Sequence, residues 1–337
     1  MRGPFISAFL LTFLLFSTAQ AEIYTTSDGH QFEVNLAPDK PEIMFGEPIY
    51  LSFEITNLSE VDLSFPEGGD YRNRLGRPES YQVKSVRTDG KAVPVPEIGM
   101  QFGGLIGTQK VAKNGGKTVI RLFLPLWSPF AEIGEYNITC DKYLYLKQSN
   151  PSKNNFDFQN GVQVSVKTKI KVVKKNNAQM AEIINFWGAE ILNASTWERG
   201  QEAFRILEHI GDKRVAAPMI KAVMSGKDFA AKGEVIKFLA KFDDENSFNA
   251  IISQMNHPAN SIRSDVAAAL SASRNPKAFG YLMRLRDDAD KFVRLAVMQG
   301  LGRKGTAESV KIVKEMLQEE RNKELYEFVK FYLEKEL

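Results

Sequence analysis

From Gln31 to about Lys175 apolar residues alternate with polar ones. Phe32, Val34 and Leu36 come first, then Ile49, Leu51, Phe53 and Ile55, then Val61, Leu63 and Phe65, and much later Val162, Val164, Val166, Ile170 and Val172. A period of two carried by β-branched and aromatic residues predicts half-buried strands. Turn chemistry separates the runs at Asn57-Leu58-Ser59-Glu60, Thr88-Asp89-Gly90-Lys91 and Asn114-Gly115-Gly116, with Asp89-Gly90 the best hairpin signal. About seven or eight short strands without a convincing helix imply an antiparallel β-sandwich. Near Lys174 to Gln179 the alternation stops, and Ile183, Ile184, Trp187 and Ile191 recur at helical spacing, as do the apolar residues from there to Leu337. The expected organisation is a sandwich over 22–175 followed by an α-helical domain over 176–337.

The helical half repeats itself. Leu207, Leu239, Leu270 and Leu301 are separated by 32, 31 and 31 residues. Four residues earlier stand Ala203, Val235, Val266 and Val297; nine later, Ala216, Phe248, Phe279 and Val310; twelve later, Met219, Ile251, Leu282 and Val313. Each unit breaks midway at Gly211-Asp212, Asp243-Asp244, Asn275-Pro276 or Gly302 to Gly305. One such helical pair is too small to bury its own core, whereas stacked pairs bury a continuous one, so the pattern predicts about four helical pairs in a solenoid. Leu325, Phe328, Val329 and Tyr332 form an apolar stripe expected to close the last repeat.

Two stretches, "SIRSDVAAALSASRNPKAFGYLMRL" and "FVRLAVMQGLGRKGTAESVKIVKEML", resemble HEAT-type repeats of the short bacterial kind, with Arg263 and Arg294 in the family's place early in the first helix. The resemblance covers roughly residues 195 to 318 and weakens in the first two units, where Gly200 and Lys232 hold the equivalent positions. It implies that the second helix of each pair lines a concave, partner-binding face. In the other half, "EIGEYNITC" (132–140) resembles the tyrosine corner of immunoglobulin-like sandwiches, with Tyr136 bonding back across the turn. It departs from that family in lacking the disulfide. Cys140 is the single cysteine, so no internal bridge forms, and it reads as a small buried hydrophobe.

At the amino terminus, Arg2, the apolar run from Phe5 to Phe16 and Ala19-Gln20-Ala21 read as a cleavable export signal over 1–21, making the expected location periplasmic or secreted. The run is short of the roughly 20 residues that cross a bilayer, so no transmembrane segment is expected. With 44 Lys+Arg against 41 Asp+Glu the chain is close to neutral, which excludes bulk electrostatic binding of a polyanion. His30, His209 and His257 are scattered, and there is no HExxH, cysteine pair, G-x-S-x-G or phosphate loop. The expectation is a non-enzymatic protein with no metal or cofactor. The sequons at Asn57, Asn137 and Asn193 read as coincidental.

Two places carry candidate binding chemistry. The loop over 66–81 gathers Asp70, Tyr71, Arg72, Arg74 and Arg77; guanidiniums grip carboxylates or phosphates, although Asp70 paired with one of its own arginines makes an ordinary solvated loop. On the second helices, Lys221, Ser253, Arg284 and Glu315 stand fourteen residues past the repeat leucine, and Ala217, Asn249, Gly280 and Lys311 stand ten past it. Lys221, Arg284 and Lys311 are the binding candidates there, on a face too poor in aromatics for a nucleic-acid groove. The preferred expectation is an exported scaffold that engages a protein or cell-envelope partner. The alternatives are an envelope enzyme or its accessory recognising an anionic substrate at 66–81, and a protease-inhibitor-like sandwich, which "LSFEITNLSEVDLSF" faintly resembles.

Overall fold

Every period-two run forms a strand. The computed structural model describes residues 21–68, 81–96, 106–149 and 161–334, and the chain divides into two compact units, Met1–Lys175 and Asn176–Leu337. The first unit holds β1 (Glu22–Thr25), β2 (Gln31–Pro38), β3 (Glu42–Met44), β4 (Tyr50–Asn57), β5 (Leu63–Gly68), β6 (Gln82–Arg87), β7 (Ile106–Val111), β8 (Lys117–Phe123), β9 (Gly134–Leu144), β10 (Lys147–Gln148) and β11 (Val162–Val173). They form sheets of order β1-β2-β4-β8, β10-β5-β7 and β3-β11-β9-β6. The strands beyond the expected seven or eight are β1, β3 and β10, which span four residues or fewer and are too short to show an alternation.

One pairing departs from the antiparallel expectation: β3 runs parallel to β11, with Ile43 opposite Val172. Pro38 and Pro41, which have no N–H to donate, bracket the crossing from β2 to β11, where Lys171 N donates to the Pro41 carbonyl at 2.9 Å. Both four-stranded sheets feed one core. Phe32, Val34, Leu36, Leu51, Phe53 and Ile55 come from one, and Val83, Ile138, Cys140, Val164 and Val166 from the other. Alternation therefore has a direct cause: the inward side chains of two facing sheets fill a shared interior.

Tyr136 donates its hydroxyl hydrogen bond to the Glu132 carbonyl at 2.8 Å, the back-bond of a tyrosine corner. Asn57 is fully buried; its amide donates to the carbonyls of Val61 (2.8 Å) and Val111 (3.0 Å), and its Oδ1 accepts from Ser59. This sequon asparagine is thus a fastener between a turn and β7. Cys140 is fully buried and burial pushes its thiol up, away from the reactive thiolate. Native Cys140 is expected to resist a thiol-labelling reagent until the chain unfolds, and Cys140→Ser to cost about 1–3 kcal/mol by burying a hydroxyl without a partner. Immediate, complete labelling of the folded protein contradicts this.

The second unit holds α1 (Asn177–Asn193), α2 (Trp197–His209), α3 (Ala216–Met224), α4 (Lys232–Leu239), α5 (Glu245–Ile252), α6 (Asn260–Ala272), α7 (Ala278–Arg284), α8 (Lys291–Lys304), α9 (Ala307–Gln318) and α10 (Tyr326–Glu334). Local signals start and stop them. Asn176, Thr196, Asp244, Asp290 and Thr306 cap α1, α2, α5, α8 and α9 through side-chain oxygens, and Gly305 ends α8 at φ +62°. The first helices α2, α4, α6, α8 and α10 pack in a row, each on the next, while α1, α3 and α5 pack in a second row. This is the ladder that the 31-residue spacing implied.

Leu207, Leu239, Leu270 and Leu301 are all fully buried, as are Ala203, Val235, Val266 and Val297. In the nine-past column Ala216, Phe248 and Val310 are buried, but Phe279 is only half-buried. Close helix approach explains several of the helical glycines. A Cβ at Gly300 would stand 2.5 Å from Ser271 Cβ, and one at Gly188 would stand 2.4 Å from Pro218 Cβ. The terminal stripe needs correction: Leu325 and Val329 are buried against the ladder, whereas Phe328 is 62% exposed. Phe328 stands one position from Val329, about 100° around the helix, so it turns off the buried side. The side chain of Tyr332 lies outside the described residues.

Candidate functional site

Two kinds of repeating polar position occur on the ladder, and they do different work. The first is the cation seven residues before the repeat leucine: Lys232, Arg263 and Arg294. Arg263 grips both carboxylate oxygens of Asp288 at 2.8 and 2.9 Å and donates to the carbonyls of His257 and Pro258. Arg294 donates to Asn322 Oδ1 (2.6 Å) and to the carbonyls of Asp288, Ala289 and Arg321. Lys232 reaches the Lys227 carbonyl and Asp228. In each case the cation ties its own preceding loop, and for the arginines the next repeat as well. Lys232 and Arg294 are 4% exposed, so these are structural bolts and not offered to a ligand.

His257 belongs to the same set, a role its isolated place in the sequence did not reveal. Its Nδ1 accepts from Ala259 N at 3.1 Å, which puts the ring proton on Nε2, 3.2 Å from Asp228. The approach of Lys232 to the same Nε2 at 3.2 Å is then packing and not a hydrogen bond. A recurring cation every 31 residues was legible; its acceptors were not, since Asp288 and Asn322 stand at different distances from their arginines.

The hydrogen bond from Arg263 holds the Asp288 carboxyl below the usual carboxylate range. A depressed folded-state value contributes stability above the unfolded value of about 3.9 and loses it as pH falls through the folded value. Asp288→Asn is therefore expected to be less stable than the parent at pH 7, with the gap closing below about pH 4. A gap of constant size from pH 7 to pH 2 in urea melts contradicts the ion pair.

The second kind of position points outward. Ala217, Asn249, Gly280 and Lys311, and Lys221 and Arg284, are all exposed on the second helices α3, α5, α7 and α9, as is Ser253 at the C-cap of α5; Glu315 is half-buried and lies 3.7 Å from Arg286. The rings of Phe248 and Tyr281 meet edge to face at 5.6 Å, so α5 and α7 touch there. Arg284 lies 5.3 Å over the Tyr281 ring. Neither Lys221, Arg284 nor Lys311 has an acidic partner among the described residues. Elsewhere on the ladder carboxylates are engaged one repeat away, as in Glu208–Lys241, Glu245–Lys277 and Asp287–Arg321. The face is therefore locally basic although the chain is nearly neutral. Asp70, Tyr71, Arg72, Arg74 and Arg77 lie outside the described residues.

Among the described residues no three His, Cys, Asp or Glu side chains converge on a metal-sized space, and no described helix is long and apolar enough to cross a membrane. No curated protein matches the sequence. Solved structures similar to it include the C-terminal domain of Wzt and a polysaccharide lyase. The C-terminal domain of Wzt aligns at 9% identity and a TM-score of 0.25, over 47% of this chain and 80% of that one. A polysaccharide lyase aligns at 11% identity and a TM-score of 0.17, over 84% of this chain and 46% of that one. Residues 248–327 match the family model for HEAT repeats.

Proposed function

We propose that this is an exported, non-enzymatic scaffold that holds a protein partner of the cell envelope on the second-helix face of its HEAT ladder. The observation that carries the reading is the set of exposed columns on α3, α5, α7 and α9, whose cations are left without acidic partners while the first helices spend theirs on inter-repeat ties. A repeat ladder suits this role because its stability resides in nearest-neighbour packing, which leaves one broad face for recognition. Support for export is the segment from Arg2 to Ala21.

The test is site-specific photo-crosslinking in cells. A crosslinker at Ser253, on the proposed face, is expected to capture a discrete envelope protein that a crosslinker at Ala272, exposed on the first-helix row, does not. Capture from Ala272 and not from Ser253 overturns the choice of face. Leu14→Arg, which interrupts the apolar run, is expected to leave uncleaved precursor in the cytoplasm.

A further inference from the structure

The last helix of the first-helix row, α10, turns aromatic side chains outward where a cap would be polar. Its inner side is settled: Leu325 and Val329 are buried, and α10 packs on α8, on α9 and on the 3-10 helix Glu320–Leu325. Phe331 stands two residues past Val329, about 200° around the axis, so it points away from that packing and is 61% exposed. Phe328, one turn earlier, lies beside it and is equally open. Among the described residues the second unit leaves seven large apolar side chains exposed, and three of them, Tyr326, Phe328 and Phe331, crowd onto this nine-residue helix. A terminal repeat that faces only water needs a polar outer side. In the row, α4, α6 and α8 each pack between two first helices, whereas α10 packs on one and presents its rings where the next would stand.

The edge of that stripe carries its own complement. Glu327 and Lys330 lie on one flank of the rings and pair at 2.6 Å, with side chains 68% and 44% exposed. When two copies of such a helix lie antiparallel about a two-fold axis, the same flank of each meets the other. Glu327 of one copy then comes opposite Lys330 of the second, and the reverse pair forms as well. Phe328 of each copy packs on Phe331 of the other. One apolar stripe with an acid and a base on the same edge is self-complementary in this arrangement.

We propose that α10 is a homodimer interface, which continues the row of first helices into a second copy of this chain through an antiparallel α10 pair. A pair of such short helices covers less than the roughly 1,000 Å² of a stable interface, so the dimer is weak and concentration-dependent. The second-helix columns take no part in it, and the inference stands apart from the face proposed above.

The test is sedimentation velocity of the full chain from about 1 to 500 μM, the span over which a small interface dissociates. The parent is expected to pass from monomer to dimer across that range. Phe328→Glu combined with Phe331→Glu is expected to stay monomeric throughout. Both side chains are exposed, so the melting temperature of this variant at low concentration is expected to match the parent, which separates a lost dimer from a lost fold. Glu327→Lys and Lys330→Glu are each expected to weaken the dimer about three- to ten-fold by setting like charges opposite one another. An equimolar mixture of those two variants is expected to associate like the parent, because each supplies the charge that the other lacks. A parent that remains monomeric over the whole range overturns the proposal, as does a crosslinker at Phe328 that captures another protein in cells and never a second copy. A dimer that survives the double phenylalanine variant, or a mixture no stronger than its components, overturns the antiparallel α10 pair.

Discussion

Leu270→Ala lowers the free energy of unfolding by about 2–5 kcal/mol. The side chain is fully buried in α6, between α4 and α8 of the same row, and stands in a column whose other members, Leu207, Leu239 and Leu301, are equally buried. Truncation removes apolar contact and leaves a cavity on both sides of one helix, so two repeat junctions weaken together. Because ladder stability is carried by nearest-neighbour packing, the urea transition is also expected to broaden as the two ends uncouple. A loss below about half a kcal/mol, the range of surface substitutions, shows that the column does not carry the core.

Arg294→Ala has a comparable expected cost of about 3 kcal/mol, for a different reason. The guanidinium is 4% exposed and serves four acceptors: Asn322 Oδ1 and the carbonyls of Asp288, Ala289 and Arg321. Removing it leaves those acceptors to be hydrated or orphaned, and unlocks the loop before α8 from the turn before α10. Arg294→Met restores most of the apolar stem and none of the donors, so it is expected to lose nearly as much as alanine. Arg294→Lys supplies a point charge instead of a planar fork and is expected to fall between the parent and the methionine variant. A methionine variant as stable as the parent in urea melts shows that the stem, not the hydrogen bonds, holds the repeats together.

These residues also mark how far a single sequence could be read. Arg263 and Arg294 were visible as a family position, but their work was not, because a tie depends on what stands opposite. Phe328 shows the same limit in an apolar residue: its place in the terminal pattern suggested a buried stripe, and the helix turns it 62% into solvent. On the sandwich, Tyr136 and Cys140 behave as the local pattern required, since a corner and an alternation are short-range features. The parallel seat of β3 on β11 was hidden, because three residues carry no period and their partner lies about 130 positions away. At the candidate face the exposed columns followed from the repeat spacing, whereas the want of acidic partners for Lys221, Arg284 and Lys311 among the described residues did not.

Periodicity in the chain by itself determined two architectures, the column of every repeat and the outward set of side chains, because burial imposes a period of two on strands and 3.6 on helices wherever one face meets a core. Tertiary structure alone decided which buried cations bolt which repeats, which strand crosses between sheets and where a glycine leaves room. Those outcomes depend on distances between residues remote in the chain, and a linear pattern contains the spacing of residues along the backbone but not their separation across it.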